Sequence, residues 1–231
     1  MPANAFLTGE YLAQIPQWHA EDSTWKSDGV LTMLEKNGLS PRRVGEVGCG
    51  TGAVLSQLQR RMDPRCEFMG YDIAPAAIEL SRMRQNERLR CRVGNAAEEA
   101  DAQFDVLLVL DVLEHQENYF HFLREIKPLA PYKLIHQVLD LSVQSVARPH
   151  VLTQCRRKLS DLHFFTKELV FEALKGEGYE IVDWFYGSPR RHQGSGVVHT
   201  LKQLPRTLCF ALNQDLAVRF LGGHSLFVLA K

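Results

Sequence analysis

Three glycines at alternate positions, Gly48, Gly50 and Gly52, stand in the run Glu46-Val47-Gly48-Cys49-Gly50-Thr51-Gly52. One glycine of such a loop permits the positive φ of a tight turn. Another lets a ligand touch the backbone, and a third lets helix and strand approach closely. Backbone N–H groups at the start of the following helix are left for a ligand. Asp72 follows one strand later. Its carboxylate can accept hydrogen bonds from both hydroxyls of a ribose. These features suit a nucleotide-like ligand without choosing one, because Gly48 to Ala53 also satisfies the dinucleotide pattern with alanine in the last place. Glu46 tilts the choice. A carboxylate there would repel a pyrophosphate and suits a cationic ammonium. A second cluster with chemistry to offer is Asp111-Val112-Leu113-Glu114-His115.

The elements that must carry these residues alternate. Strands are expected at 43–47, 66–72, 89–93, 104–110, 133–138, 180–186 and 225–230. Helices are expected at 27–36, 53–61, 76–86 and 118–127. The run Phe104 to Leu110 is almost continuously apolar, as in a strand buried on both faces of a parallel sheet. Thr166 is a plausible N-cap for a further helix, with Leu169, Val170, Ala173 and Leu174 facing inward. The alternation predicts an α/β domain, with a mainly parallel sheet and helices on both faces. Two stretches break it, 139–165 and 187–223, and long connections in compact domains are often functional.

Glu-Val-Gly-Cys-Gly-Thr-Gly at 46–52, Gly-Tyr-Asp-Ile at 70–73, Gly-Asn-Ala at 94–96 and Asp-Val-Leu-Glu-His at 111–115 resemble the successive motifs of class I S-adenosylmethionine-dependent methyltransferases. The group that methylates small molecules is the nearest in pattern. Leu-His-Phe-Phe-Thr-Lys-Glu at 162–168, ahead of Gly-Tyr-Glu-Ile-Val at 178–182, is similar to that group as well. The resemblance implies a Rossmann-like sheet of seven strands with the last antiparallel. It implies S-adenosyl-L-methionine as cofactor, with Gly48, Cys49, Gly50 and Gly52 along its methionine and ribose. Glu46 would meet the ammonium, Asp72 the ribose, and Ile73 the adenine face. Asn95 would accept from the adenine amino group, in a place often held by aspartate. Ala96 would offer its N–H to the ring, and Leu110 and Asp111 would flank the methionine end.

Other residues carry two readings each. Asp111, Glu114 and His115 are metal-ligand types close in sequence, but a carboxylate and a histidine at a helix start are more simply explained by the helix dipole and solvent. No metal is expected. His163, before Phe164-Phe165, is either a general base or substrate contact, or a tie between loop and helix. His136 within the fifth strand reads as a core histidine. Arg148, Arg156, Arg157 and Lys158 could hold an anionic or sugar-linked acceptor, although a basic cluster is more often a solvated face. Trp18, His19 and Trp25 suggest an N-terminal helical lid over residues 1–40, or a helix packed on the sheet.

The whole chain sets limits. Its 231 residues fit one domain, and 27 basic residues balance 27 acidic ones, so a nucleic-acid substrate gains no electrostatic support. Five scattered cysteines form no Cys-x-x-Cys pair and favour a reducing compartment. The N-terminus lacks a signal-peptide layout, and no apolar run approaches membrane-spanning length, so a cytoplasmic protein is expected. The motifs predict methyl transfer to an oxygen, nitrogen or carbon of a small molecule. A nicotinamide-dependent oxidoreductase and a non-catalytic cofactor-binding protein are the alternatives.

Overall fold

A computed structural model describes residues 6–8, 15, 17–18, 20–100, 102–187 and 207–231. His19 and most of the 187–223 stretch lie outside them. Seven strands form one sheet: β1 Arg43–Val47, β2 Glu67–Asp72, β3 Leu89–Val93, β4 Val106–Leu110, β5 Tyr132–Leu139, β6 Ile181–Gly187 and β7 His224–Ala230. Their order is β3-β2-β1-β4-β5-β7-β6. The pairs from β3 to β5 are parallel, and β7 runs antiparallel to both β5 and β6. The mainly parallel α/β sheet with its antiparallel last strand is as expected.

The helices are α1 Ser23–Lys36, α2 Ala53–Arg61, α3 Pro75–Ser81, α4 Tyr119–Ile126, α5 Val143–Ala147, α6 Pro149–Leu159, α7 Lys167–Gly176 and α8 Gln214–Leu221. Local chemistry sets their starts. Pro75 sits at the first turn of α3, where its missing N–H costs nothing. The Asn118 side chain accepts from the His121 amide to begin α4, and Thr166 does the same for Leu169 in α7. Ser142 and Ser145 form a reciprocal capping box on α5.

Two apolar clusters flank the sheet. One gathers Val30, Met33 and Leu34 of α1 with Leu55 and Leu58 of α2 and Ile78 of α3. The other gathers Leu123 and Ile126 of α4 with Val170, Ala173 and Leu174 of α7 and Val218 of α8. Every residue of β4 and of β7 is buried, as strands covered on both faces must be.

Several expectations change. Helix α1 begins at Ser23, four residues early, and is a core element as well as a neighbour of the site. The helix expected over 76–86 ends at Ser81 and tightens into a 3-10 turn, Arg82–Arg84. The 139–165 stretch is not an irregular loop but holds α5 and α6. Leu169 is 48% exposed rather than inward, because α7 turns only the Val170, Ala173 and Leu174 stripe to the sheet. Among the described residues no helix is long and apolar enough to cross a membrane.

Helix α1 lies so close to the sheet that Gly29 has no room for a side chain. A Cβ there would stand 2.3 Å from the Phe227 ring. Gly29→Ala is therefore expected to destabilise the fold by about 1–3 kcal/mol, read as a lower melting midpoint. Gly176→Ala, where a Cβ meets nothing within 4 Å, is the control and should leave the midpoint unchanged or raised.

Candidate functional site

The site opens where β1 and β4 lie side by side. From β1 the chain leaves into α2 on one face of the sheet, and from β4 into α4 on the other. The strand ends are thereby parted, and ligands of open α/β sheets bind in that crevice. Here it is a cavity of about 410 Å³.

The glycine loop forms its floor. Gly48, Gly50 and Gly52 have φ of 68°, 53° and 67°, a left-handed conformation that a Cβ would strain. A Cβ on Gly48 would also stand 2.6 Å from Val112, and one on Gly50 2.6 Å from the Trp18 ring. Trp18 thus packs on the loop from above. Asp72 ends β2 and grips the same loop. Its Oδ2 accepts from the Gly50 amide at 2.8 Å, and its Oδ1 from the Ala74 amide at 2.8 Å. Burial pushes the Asp72 carboxyl up, and these two amides pull it back. Ile73 lines the cavity and is half exposed, an apolar face beside the carboxylate.

Glu46 and Asp111 stand at the ends of the two parted strands. Glu46 is buried, and its Oε2 has no hydrogen-bond partner among the described residues. Burial drives its carboxyl well above the usual carboxylate range, with the nearby Lys26 ammonium opposing. Asp111 has a φ of 57°, unusual for a residue with a Cβ. Its Oδ2 is 2.8 Å from Lys26 Nζ, and its Oδ1 is 2.7 Å from His136 Nδ1. His136 is fully buried in β5, its ring 5.2 Å from that of Trp25 and 4.5 Å from that of Phe227. It is a core histidine, and also the partner of Asp111.

Glu46, Gly48, Cys49, Gly50, Asp72, Ile73, Leu110 and Asp111 all line the cavity. Gly52, Asn95 and Ala96 do not. Gly52 caps α2, and its amide donates to the Cys49 carbonyl. Asn95 accepts from the Ala97 amide at 3.1 Å, and Ala96 is buried. Lys26 and Thr51 also line the cavity, and motif reading passed over both. Lys26 is a lone lysine 20 residues before the loop, and only the packing of α1 brings it in.

Asp111, Glu114 and His115 are not brought together as one ligand set. Glu114 is buried, and its Oε2 accepts from Gln137. The His115 ring faces Asp161, with Nδ1 3.6 Å from Oδ1. Carbonyl Glu114 accepts from the amides of Leu162 and His163, which stitches the loop after β4 to the end of the α5–α6 segment. Arg148, Arg156, Arg157 and Lys158 are exposed and line no part of the cavity, so the reading that they bind an acceptor loses its footing. Arg156 instead donates to the Leu162 carbonyl.

Against these features stand the comparisons. A family model described as a methyltransferase domain matches residues 46–131. The matched stretch takes in the glycine loop, Asp72 and Asp111. The curated ubiquinone biosynthesis O-methyltransferase of Azorhizobium caulinodans is 39% identical over 87 residues, covering 36% of this chain and 33% of that protein. The chain thus matches about a third of the length of that relative. Among solved structures, the magnesium protoporphyrin IX methyltransferase ChlM of Synechocystis PCC 6803, with bound SAH, superposes with a TM-score of 0.61 at 16% identity, covering 94% of this chain and 85% of that one. A SAM-dependent methyltransferase of Archaeoglobus fulgidus gives 0.59 at 17% identity, covering 91% and 97%. These likenesses establish the methyltransferase fold beyond residue 131, across the antiparallel end of the sheet.

His163 does not line the cavity. Its Nε2 is 2.9 Å from the Gln116 carbonyl, so the ring proton sits there, and Tyr119 packs against the ring edge-on at 4.9 Å. This geometry supports the tie between loop and helix over the general base. His163→Ala is expected to lower the melting midpoint while leaving the acid limb of a turnover–pH profile where it was. Loss of that limb would return the residue to base duty.

Proposed function

We propose that the chain is an S-adenosylmethionine-dependent methyltransferase acting on a small molecule. The observation that carries this is Glu46, a buried carboxylate with an unsatisfied oxygen beside the glycine loop. A buried acid in that state calls for a cation. The ammonium of S-adenosylmethionine supplies one. Asp72, whose oxygens have acceptor capacity beyond the two amides they hold, suits the ribose hydroxyls at the other side of the loop. Ile73 offers its exposed face to adenine. Lys26 stands among Glu46 and Asp111, and is the positive group for the methionine carboxylate. A pyrophosphate would meet Glu46, Asp111 and Glu114 around the same cavity, which disfavours a nicotinamide dinucleotide.

When bound, the cofactor supplies an electrophilic methyl group on a sulfonium. The chain's own task is positioning and exclusion of water. The glycine loop holds the backbone close, Trp18 covers it, and Asp111, locked by Lys26 and His136 at the end of β4, fixes the side from which an acceptor approaches.

Asp72→Ala is expected to weaken S-adenosylmethionine binding by about tenfold or more in calorimetry, since it removes charge-assisted hydrogen bonds. Unchanged affinity would take Asp72 out of the ribose role. The raised Glu46 carboxyl also sets a pH dependence. Its proton must leave before an ammonium can pair with it, so affinity should rise with pH, by up to about tenfold per unit, until Glu46 is ionised. Glu46→Gln should flatten most of that slope. A wild-type affinity independent of pH across the acid range would contradict the pairing.

A further inference from the structure

We propose that the methyl acceptor is a cationic amine. The inference rests on the cofactor reading above and concerns the residues that the segments after β4 bring to the cavity. These include Glu114, His115, Asp140, Leu159 and Asp161, and Phe6 of the N-terminal segment lines the same cavity. Glu114 and Asp161 line the cavity and are each 5% exposed, with Glu114 Oε2 accepting from Gln137 and Asp161 Oδ1 3.6 Å from His115 Nδ1. Among the described residues, Lys26 is the one lysine or arginine of the lining, and its ammonium is 2.8 Å from Asp111. The four basic residues of the 139–165 segment are exposed and elsewhere.

An anionic acceptor would therefore bring negative charge beside three carboxylates where the local dielectric is low, and be repelled. An ammonium is attracted by the same field. The rings favour an organic cation over a bare ion. Phe6, which lies 5.3 Å from the His115 ring and 6.4 Å from that of Trp18, lines the cavity with both, so aromatic rings share the lining with the carboxylates. Ligand atoms of Asp140, Cys155 and Asp161 lie within 4.8 Å of one another, a spacing that a divalent ion also fits. Cys155, however, does not line the cavity.

The chemistry closes without another reactant. The bound ammonium loses one proton to solvent, and the nitrogen lone pair forms the new N–C bond. The C–S bond breaks with its pair remaining on sulfur. The product leaves as a methylammonium carrying the positive charge that sulfur gave up.

The test uses the full chain, S-adenosylmethionine with a deuterated methyl group, and a small-molecule cell extract separated by ion exchange. Cofactor binding is first checked by calorimetry, and its failure would refute the methyltransferase reading itself. Given binding, the expected result is a labelled product retained on a cation exchanger at neutral pH. The recovered acceptor should bind Asp161→Asn and Glu114→Gln about tenfold more weakly in calorimetry, with cofactor affinity kept. The proposal is overturned by label in the neutral or anionic fraction, by no labelled product despite cofactor binding, or by acceptor affinity unchanged in both variants. Transfer to a catechol oxygen that EDTA abolishes would overturn it in favour of a metal at Asp140, Cys155 and Asp161.

Discussion

The site depends on one topological constraint, the parallel pairing of β1 with β4 while their helices pack on opposite faces of the sheet. Two right-handed crossovers starting from neighbouring strands must diverge. The divergence leaves the strand ends without cover and exposes backbone amides at the start of α2. A closed sheet with the same residues would have no crevice to line. The three left-handed glycines matter because they let the chain turn out of β1 without filling that gap with side chains.

Charge then organises the gap. Two carboxylates, Glu46 and Asp111, are set at the ends of adjacent strands, and neither is cheap to bury. Lys26 reaches them from α1, and His136 supports Asp111 from β5. This arrangement ties the site to the core. Helix α1 can deliver Lys26 because Gly29 lets it sit against Phe227, on the strand that pairs antiparallel with β5. The ion pair and the packing of α1 are thus one structural fact seen from two sides, and a change far from the cavity can shift the charge balance within it.

Much of this was legible in the sequence. The strands appear as apolar runs, and β4 is nearly the limit case, since five buried residues in a row leave no other reading. Helix ends were clear where a cap or proline marked them, as at Asn118, Thr166 and Pro75. They were unclear where no such mark exists. Nothing local tells α1 to begin at Ser23 rather than Ser27. The 139–165 segment hid two helices because α5 is short, and α6 carries an exposed run of Arg156, Arg157 and Lys158 that reads as a charged loop. Leu169 looked inward because apolar residues at neighbouring positions do not reveal which edge of the stripe meets the sheet.

The sequence by itself determined that the glycine loop, Glu46, Asp72, Ile73 and Asp111 would share one cavity. These positions follow directly on strand ends, so strand pairing alone gathers them. Only the tertiary structure decided the rest of the lining. Lys26, Trp18, Asp140 and Asp161 come from segments whose approach is set by packing, which carries no local signature. The same holds for removals. The basic cluster at 148–158 turned outward and His163 was bound to a carbonyl, because both lie on a segment whose orientation is fixed by its stitches to Glu114 and Gln116. Residue type shows what chemistry a chain can do, and the fold determines which of those groups share a cavity.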